Sequence, residues 1–246
     1  MKFADFLLIE EKFSDSILNK TIEILSKEKK VLLLTTSNRP PSAKKSGDIP
    51  KSTQLANFIQ SRIGMVKCDV IDVTELNIYN CVGNVSSKDG NVCGVKDANL
   101  KNKDKNPSGY HRCWVSYSHK DDDLWKITKP LFESTAVIFF GSVRWGQMNA
   151  YYQKLIERLD WIENRHTTLG EDNVIKNIKA GIIAVGQQWN GEEVVKTQKQ
   201  VLKFYGFKVP DELSWNWQYS DNPNLETKES YKKAITTFDK VFNINN

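Results

Sequence analysis

Three stretches of this chain are apolar over the whole length of a β-strand: Val31 to Leu34 in "KVLLLTTSNR", the run "STAVIFFG" ending at Gly141, and "KAGIIAVG" ending at Gly186. A strand with one face in water alternates apolar and polar residues. These runs do not alternate, so each has to be covered on both faces, the condition of a parallel sheet between two helical layers.

The segments between the runs read as helices. Ser14 caps a first helix to about Lys29, with Leu18, Ile22 and Leu25 on one face. A second starts at Ser52 or Thr53 and aligns Leu55, Phe58, Ile59 and Ile63. A strand over 66–73 follows, then irregular sequence from 74 to 120, a length that inside a compact domain marks a functional or a disordered segment. "DDDLWKITKPLF" restores a helix, its aspartates suited to the positive N-terminal end of the dipole. A longer helix from about Gln147 brings Met148, Tyr151, Tyr152, Leu155, Ile156 and Leu159 into register. Another covers Glu192 to Tyr205, "LSWNWQY" alternates like an edge strand, and a last helix uses Tyr231, Ala234, Ile235, Phe238 and Phe242.

Strands alternating with helices predict right-handed crossovers and one doubly wound α/β domain over 1–246. Residues 1–30 form an N-terminal helical extension and 74–120 a long loop insertion. The 246 residues are 39% hydrophobic, enough for one core. The excess of +5 is mild and spread along the chain, which argues for a solvated surface and against a nucleic-acid partner. The start, "MKFADFLLIEEK", has too short an apolar run for a leader or a membrane span, so a cytoplasmic protein is expected. Cys68, Cys81, Cys93 and Cys113 show neither a C-x-x-C pair nor metal-ligand spacing, and reduced thiols are expected.

In doubly wound sheets ligands bind beyond the carboxyl ends of the strands. After the first strand, Thr35, Thr36, Ser37, Asn38, Ser52 and Thr53 offer hydroxyl and amide donors, a helix begins, and Arg39 supplies a fork that matches phosphate oxygens. G-x-x-x-x-G-K-[ST] and G-x-G-x-x-G are both missing, so a monophosphate is the better ligand. After the third strand, "GSVRWGQMN" lets Gly141 and Gly146 admit a flat ligand while Trp145 supplies an apolar plane and Arg144 a positive charge. After the fourth, "VGQQWNGEE" offers carboxamides that suit a ring edge. Each loop also has an ordinary reading, as a polar turn, a core tryptophan or the Asn190 helix cap.

"TTSNR" with "STQLANFI" resembles the S-x-R and [ST]-x-x-L phosphate loop of the flavodoxin-like FMN-dependent NAD(P)H oxidoreductases, and "VIFFGSVRWGQMNAYYQKLIERL" resembles their "GSPVYWGSMSAQLKALIDR". The likeness covers most of 31–206. It implies a flavodoxin-like three-layer sandwich with a five-stranded parallel sheet in the order 2-1-3-4-5. It places the FMN phosphate on Thr36, Ser37, Arg39, Ser52, Thr53 and Gln54, and the isoalloxazine along Ser142, Val143, Arg144, Trp145, Gly146 and Gln147, with Gly186, Gln187 and Asn190 closing the other side. The family's proline after Ser142 is missing and its tyrosine is Arg144 here. Iron-sulfur relatives carry closely spaced cysteines after the second strand; here Cys81, Cys93 and Cys113 stand far apart, and no cluster is expected.

The resemblance further implies hydride transfer from NADPH or NADH to FMN and on to a quinone, flavin or nitro compound, with Arg144 as the electrostatic residue. A homodimer or homotetramer is expected. The long loop is expected to cover the flavin, with His111, Arg112 and Trp114 as candidates to touch substrate or nicotinamide, each having ordinary loop packing as its other reading, whereas His166 is structural. The alternatives are a flavodoxin-type electron carrier without nicotinamide turnover, against which +5 argues, and a cofactor-less binding module on the same fold.

Overall fold

A computed structural model describes residues 16–39, 47–186, 190–218 and 227–242. Helix α1 covers 16–26. The sheet and its crossovers follow as β1 (Val31–Thr35), α2 (Lys51–Ile63), β2 (Cys68–Asp72), a short helix α3 (Trp114–Ser118), α4 (Trp125–Glu133), β3 (Ala136–Arg144), β4 (Gln147–Met148), α5 (Ala150–Thr167), β5 (Lys179–Gly186), α6 (Gly191–Phe204), β6 (Trp215–Gln218) and α7 (Lys228–Val241).

The main sheet runs β2-β1-β3-β5-β6 with every neighbouring pair parallel, and β4 only folds back on β3. Counted over the five parallel strands this is the expected 2-1-3-4-5 order of the flavodoxin-like fold. The apolar runs are buried end to end, and their alternate residues feed two separate cores. Val31, Leu33, Ala136, Ile138, Phe140, Ile183 and Val185 pack under α1, α2 and α7. Leu32, Leu34, Val137, Phe139, Ile182 and Ala184 pack under α4, α5 and α6. A leucine buried this fully is worth about 2 kcal/mol of transfer free energy, which is why uninterrupted apolar strands cannot remain at a surface.

Several boundaries differ from the sequence reading, each for a local reason. Ser14 lies outside the described residues, and α1 is tied to the edge of the sheet through Thr21, whose hydroxyl donates to Glu212 O (2.7 Å) and accepts from Trp215 Nε1 (3.0 Å). β2 begins at Cys68 because Gly64 turns the chain with φ 98°, leaving Met65 and Val66 exposed. β3 does not end at Gly141; it continues to Arg144 because β4 returns beside it. The helix expected from Gln147 therefore starts at Ala150, where the Asn149 side chain accepts from Tyr152 N.

The aspartates of "DDDL" are not the first turn of a helix. α4 begins at Trp125, and Asp122 and Asp123 accept from the backbone N–H groups of Tyr79 and Asn77, clasping the two ends of the insertion together. Three 3-10 turns and α3 are the regular pieces between β2 and α4. Among the described residues no helix is long and apolar enough to cross a membrane.

Candidate functional site: a cleft at the carboxyl ends of four strands

The strand order reverses between β1 and β3, and the loops leaving these two strands are held together there. Thr36 N donates to Phe140 O (2.9 Å), and the Thr36 hydroxyl also donates to Phe140 O (2.8 Å) while accepting from Asn149 Nδ2 (3.1 Å). Gly141 is forced by this crossing. A Cβ there would stand 2.8 Å from Thr36 Oγ1 and 2.9 Å from Asn149 Nδ2. Thr36 is thus a strut behind the site, not a free donor.

In front of it opens a cleft lined by Ser37 and Arg39 after β1, Pro50, Lys51 and Ser52 at the start of α2, Ser142, Val143 and Arg144 of β3, Val185 and Gly186 of β5, Trp217 of β6, and Ala234, Ile235 and Phe238 of α7. Its solvent-accessible volume is about 80 Å³, and the empty space counted out to its open mouth is about 600 Å³. The full opening has the scale of an ordinary ligand cleft.

One end is built for an anion. Ser52 Oγ donates to Ser37 Oγ (2.7 Å) with both residues buried, and the remaining hydroxyl proton is available to a ligand. α2 starts without a side-chain cap, so the N–H groups of its first turn are donors at the positive end of a helix dipole. The Thr53 hydroxyl on that turn is buried without a partner. Arg39 and Lys51 add two cations, the first paired with Asp48 (3.1 Å), the second with Asp239. Gln54 donates to Ile49 O and holds the loop in place.

The other end is the hairpin between β3 and β4. Val143 faces Met148 and Arg144 faces Gln147 across a two-residue turn, in which Trp145 and Gly146 have φ values of 50° and 71°. Positive φ at both central residues is the signature of a type I′ turn. It suits glycine and costs tryptophan on the order of 1 kcal/mol. Trp145 is 82% exposed, so the reading of it as a core cover is set aside. The residue that opens α6 leans on this hairpin. Asn190 takes up φ 75°, and its side chain, which makes no helix-capping bond, donates to Gly146 O (3.2 Å). Gln187 lies outside the described residues.

Of the site residues read from sequence, Ser37, Arg39, Ser52, Ser142, Val143, Arg144 and Gly186 share the cleft. Thr36, Thr53, Gln54, Trp145, Gly146, Gln147 and Asn190 support or border it. Sequence reasoning missed Lys51, Trp217 and the whole α7 wall. Lys51 was within reach, standing between Pro50 and Ser52 at a predicted helix start; nothing local marks Trp217 or α7.

For the insertion the structure selects the packing reading over the substrate reading, because His111, Arg112 and Trp114 are all engaged away from the cleft. His111 is 1% exposed, bonded through Nδ1 to the Thr128 hydroxyl (2.6 Å) and stacked on Trp161. Desolvation lowers its pKa to about 3, so the ring is neutral. Arg112 pairs with Glu171 (2.6 Å), and Trp114 Nε1 donates to Val92 O. The insertion lies along α5: Arg158 donates to Tyr79 O, Asn164 to Cys93 O and Arg165 to Tyr110 O. Burial pushes the Cys68 thiol up to about 12 and raises that of Cys93 as well, the latter helped by Asp160, so neither is an activated thiolate. Among the described residues no group of His, Cys, Asp and Glu is arranged to hold a metal ion.

No protein-family model matches the sequence, and no curated protein does. Solved structures do share its fold. RosB with a bound intermediate, 8-demethyl-8-formylriboflavin-5'-phosphate, aligns over 87% of this chain and 74% of its own with a TM-score of 0.56 at 11% identity. An azoreductase from Bacillus anthracis str. Sterne aligns over 87% of this chain and 98% of its own with a TM-score of 0.50 at 12% identity. At these identities the likeness is one of fold.

Proposed function

We propose that the cleft binds FMN and that the protein is an FMN-dependent NAD(P)H oxidoreductase acting on a small acceptor such as a quinone, flavin or nitro compound. The observation that carries this reading is the convergence of an anion-adapted end and a hairpin end at the switch point of the sheet, where this fold places ligands. RosB, whose structure contains a riboflavin phosphate derivative, supports it by analogy of fold.

The residues present fit a phosphoryl group. Ser37, Ser52, Arg39 and the first turn of α2 would hold it, and the orphaned Thr53 hydroxyl lies on the same turn. Ser142, Val143, Arg144 and Gly186 would border the ring, with the Trp145–Gly146 turn and Asn190 at its rim. FMN, when bound, supplies the capacity to accept and pass on a hydride. The protein binds, orients and sets the local charge. Arg144 is exposed at the mouth, and its guanidinium favours added negative charge on a neighbouring ring. This role requires no acid or base from the protein. A homodimer or homotetramer belongs to the same proposal.

Purified protein should take up FMN and bleach when NADPH or NADH is added without oxygen. Failure to take up FMN sinks the proposal; uptake without bleaching by either nicotinamide reduces it to an electron carrier.

A further inference from the structure

Lys51, the first residue of α2, lines the cleft and is held by the C-terminal helix. Its ammonium pairs with Asp239 in the last turn of α7 and lies 5.3 Å from the centre of the Phe238 ring. Side-chain exposures of 22% and 28% leave the pair only partly screened by water. α7 is otherwise seated on the edge of the sheet by rings. Phe238 meets Trp217 edge-on at 5.2 Å, and Phe242 stacks on Trp215 at 6.0 Å. Trp217, whose indole N–H is buried without a partner, lines the same cleft.

We propose that a phosphomonoester entering the cleft displaces Asp239 from Lys51, so that Lys51 is a phosphoryl-binding residue and occupancy of the cleft is coupled to the docking of α7. This rests on the reading of the cleft as a phosphate site. It goes beyond that reading by naming a cation outside the sequence motif and the carboxylate inside the protein that competes for it.

The physical ground is an exchange of anions at one ammonium. A carboxylate brings one negative charge; a phosphomonoester at neutral pH brings roughly 1.5 to 2 and three strong acceptor oxygens. Ser37, Ser52 and the first-turn N–H groups of α2 satisfy the oxygens that Lys51 does not. Asp239, already partly in contact with water, turns to solvent without becoming a buried unpaired charge. A phosphodiester, with a single charge, has no such advantage over Asp239. The exchange therefore selects a terminal phosphate and removes one of the ties on the last turn of α7.

The test titrates inorganic phosphate, FMN and riboflavin into the full chain as wild type, Asp239→Asn and Lys51→Gln. Asp239→Asn is expected to tighten FMN and phosphate by about fivefold and Lys51→Gln to weaken both by at least as much. Riboflavin, which lacks the phosphate, should be indifferent to either change. Limited trypsin digestion adds a second readout: FMN should hasten cleavage within α7 of the wild type, while Asp239→Asn should be cleaved readily with or without it. If Asp239→Asn lowers the melting temperature but moves neither affinity, the pair is a helix staple and the exchange is wrong. Equal FMN binding by all three proteins also overturns the exchange and leaves the flavin reading intact. Variant-dependent phosphate binding without FMN binding does the reverse, and a wild type that binds neither ends both.

Discussion

Arg158 of α5 and Asp122, two residues past the insertion, meet with neither side chain exposed, their guanidinium and carboxylate joined by two parallel hydrogen bonds of 2.9 Å. The same guanidinium donates to Tyr79 O and to Ser116 Oγ, and the Ser116 hydroxyl donates to Asp122. A single arginine thus pins two points of the insertion, and the aspartate just past its end, to one helix.

Removing either partner leaves the other charge buried and alone. Arg158→Met is expected to destabilise the protein by about 3–5 kcal/mol in urea unfolding. An effect below about 1 kcal/mol would show that the insertion holds without this contact. Burial raises the Asp122 carboxyl, but hydrogen bonds from Arg158 and Ser116 and the Arg158 charge outweigh it and keep the group below its ordinary value. A depressed carboxyl contributes stability that is present above its unfolded pKa of about 3.9 and lost as pH falls through the folded value. Asp122→Asn should therefore flatten the stability profile below about pH 4.

His111 governs a different pH range. Its folded pKa is about 3 and its unfolded pKa about 6.5, so the unfolded chain binds the extra proton first as pH falls. The melting temperature should drop between about pH 6.5 and pH 4. His111→Gln should remove most of that slope. A slope unchanged in the variant would assign the effect to other groups.

Gly181 has no room for a methyl group. A Cβ there would lie 2.0 Å from Leu213 O, a backbone atom of the segment entering β6. Gly181→Ala is expected to cost about 3 kcal/mol and loosen the edge strand, read as lowered thermal stability with faster hydrogen exchange in β6. Retention of wild-type stability would mean that β6 can slide aside.

Trp145 keeps a backbone conformation that glycine adopts freely. Trp145→Gly should leave stability within about 1 kcal/mol of wild type, or raise it, while weakening FMN binding. Tighter FMN binding in the variant would mean that the indole obstructs the cleft.

Arg144 stands beyond the last covered residue of β3, where its charge reaches the mouth of the cleft. Arg144→Ala should slow reduction by the nicotinamide or raise its KM, with protein stability unchanged. Unaltered kinetics would remove Arg144 from the reaction.

The three apolar runs were enough to settle the layers, because a strand without polar alternation has no stable place except between two helical faces. The helical periods that follow them placed the crossovers, and hence the end of the sheet beyond which ligands bind in such folds; the strand order was implied only by the resemblance of the strand-end loops. Ser37, Arg39, Ser52, Ser142 and Arg144 were legible for that reason: four stand at or within a few residues of a strand end, and Ser52 in the first turn of the helix that follows β1. The partners of the long-range charges were not. Asp122 read as a helix-dipole residue until Arg158 claimed it, and His111 and Arg112 read as loop residues near substrate until Trp161 and Glu171 engaged them. Lys51 meets Asp239 across 188 positions of sequence, and Trp217 reaches the cleft only because β6 closes the sheet. Periodicity is a local property that backbone geometry imposes on each segment alone. The pairing of buried charges and the closing of a wall depend on which segments the folded sheet brings side by side.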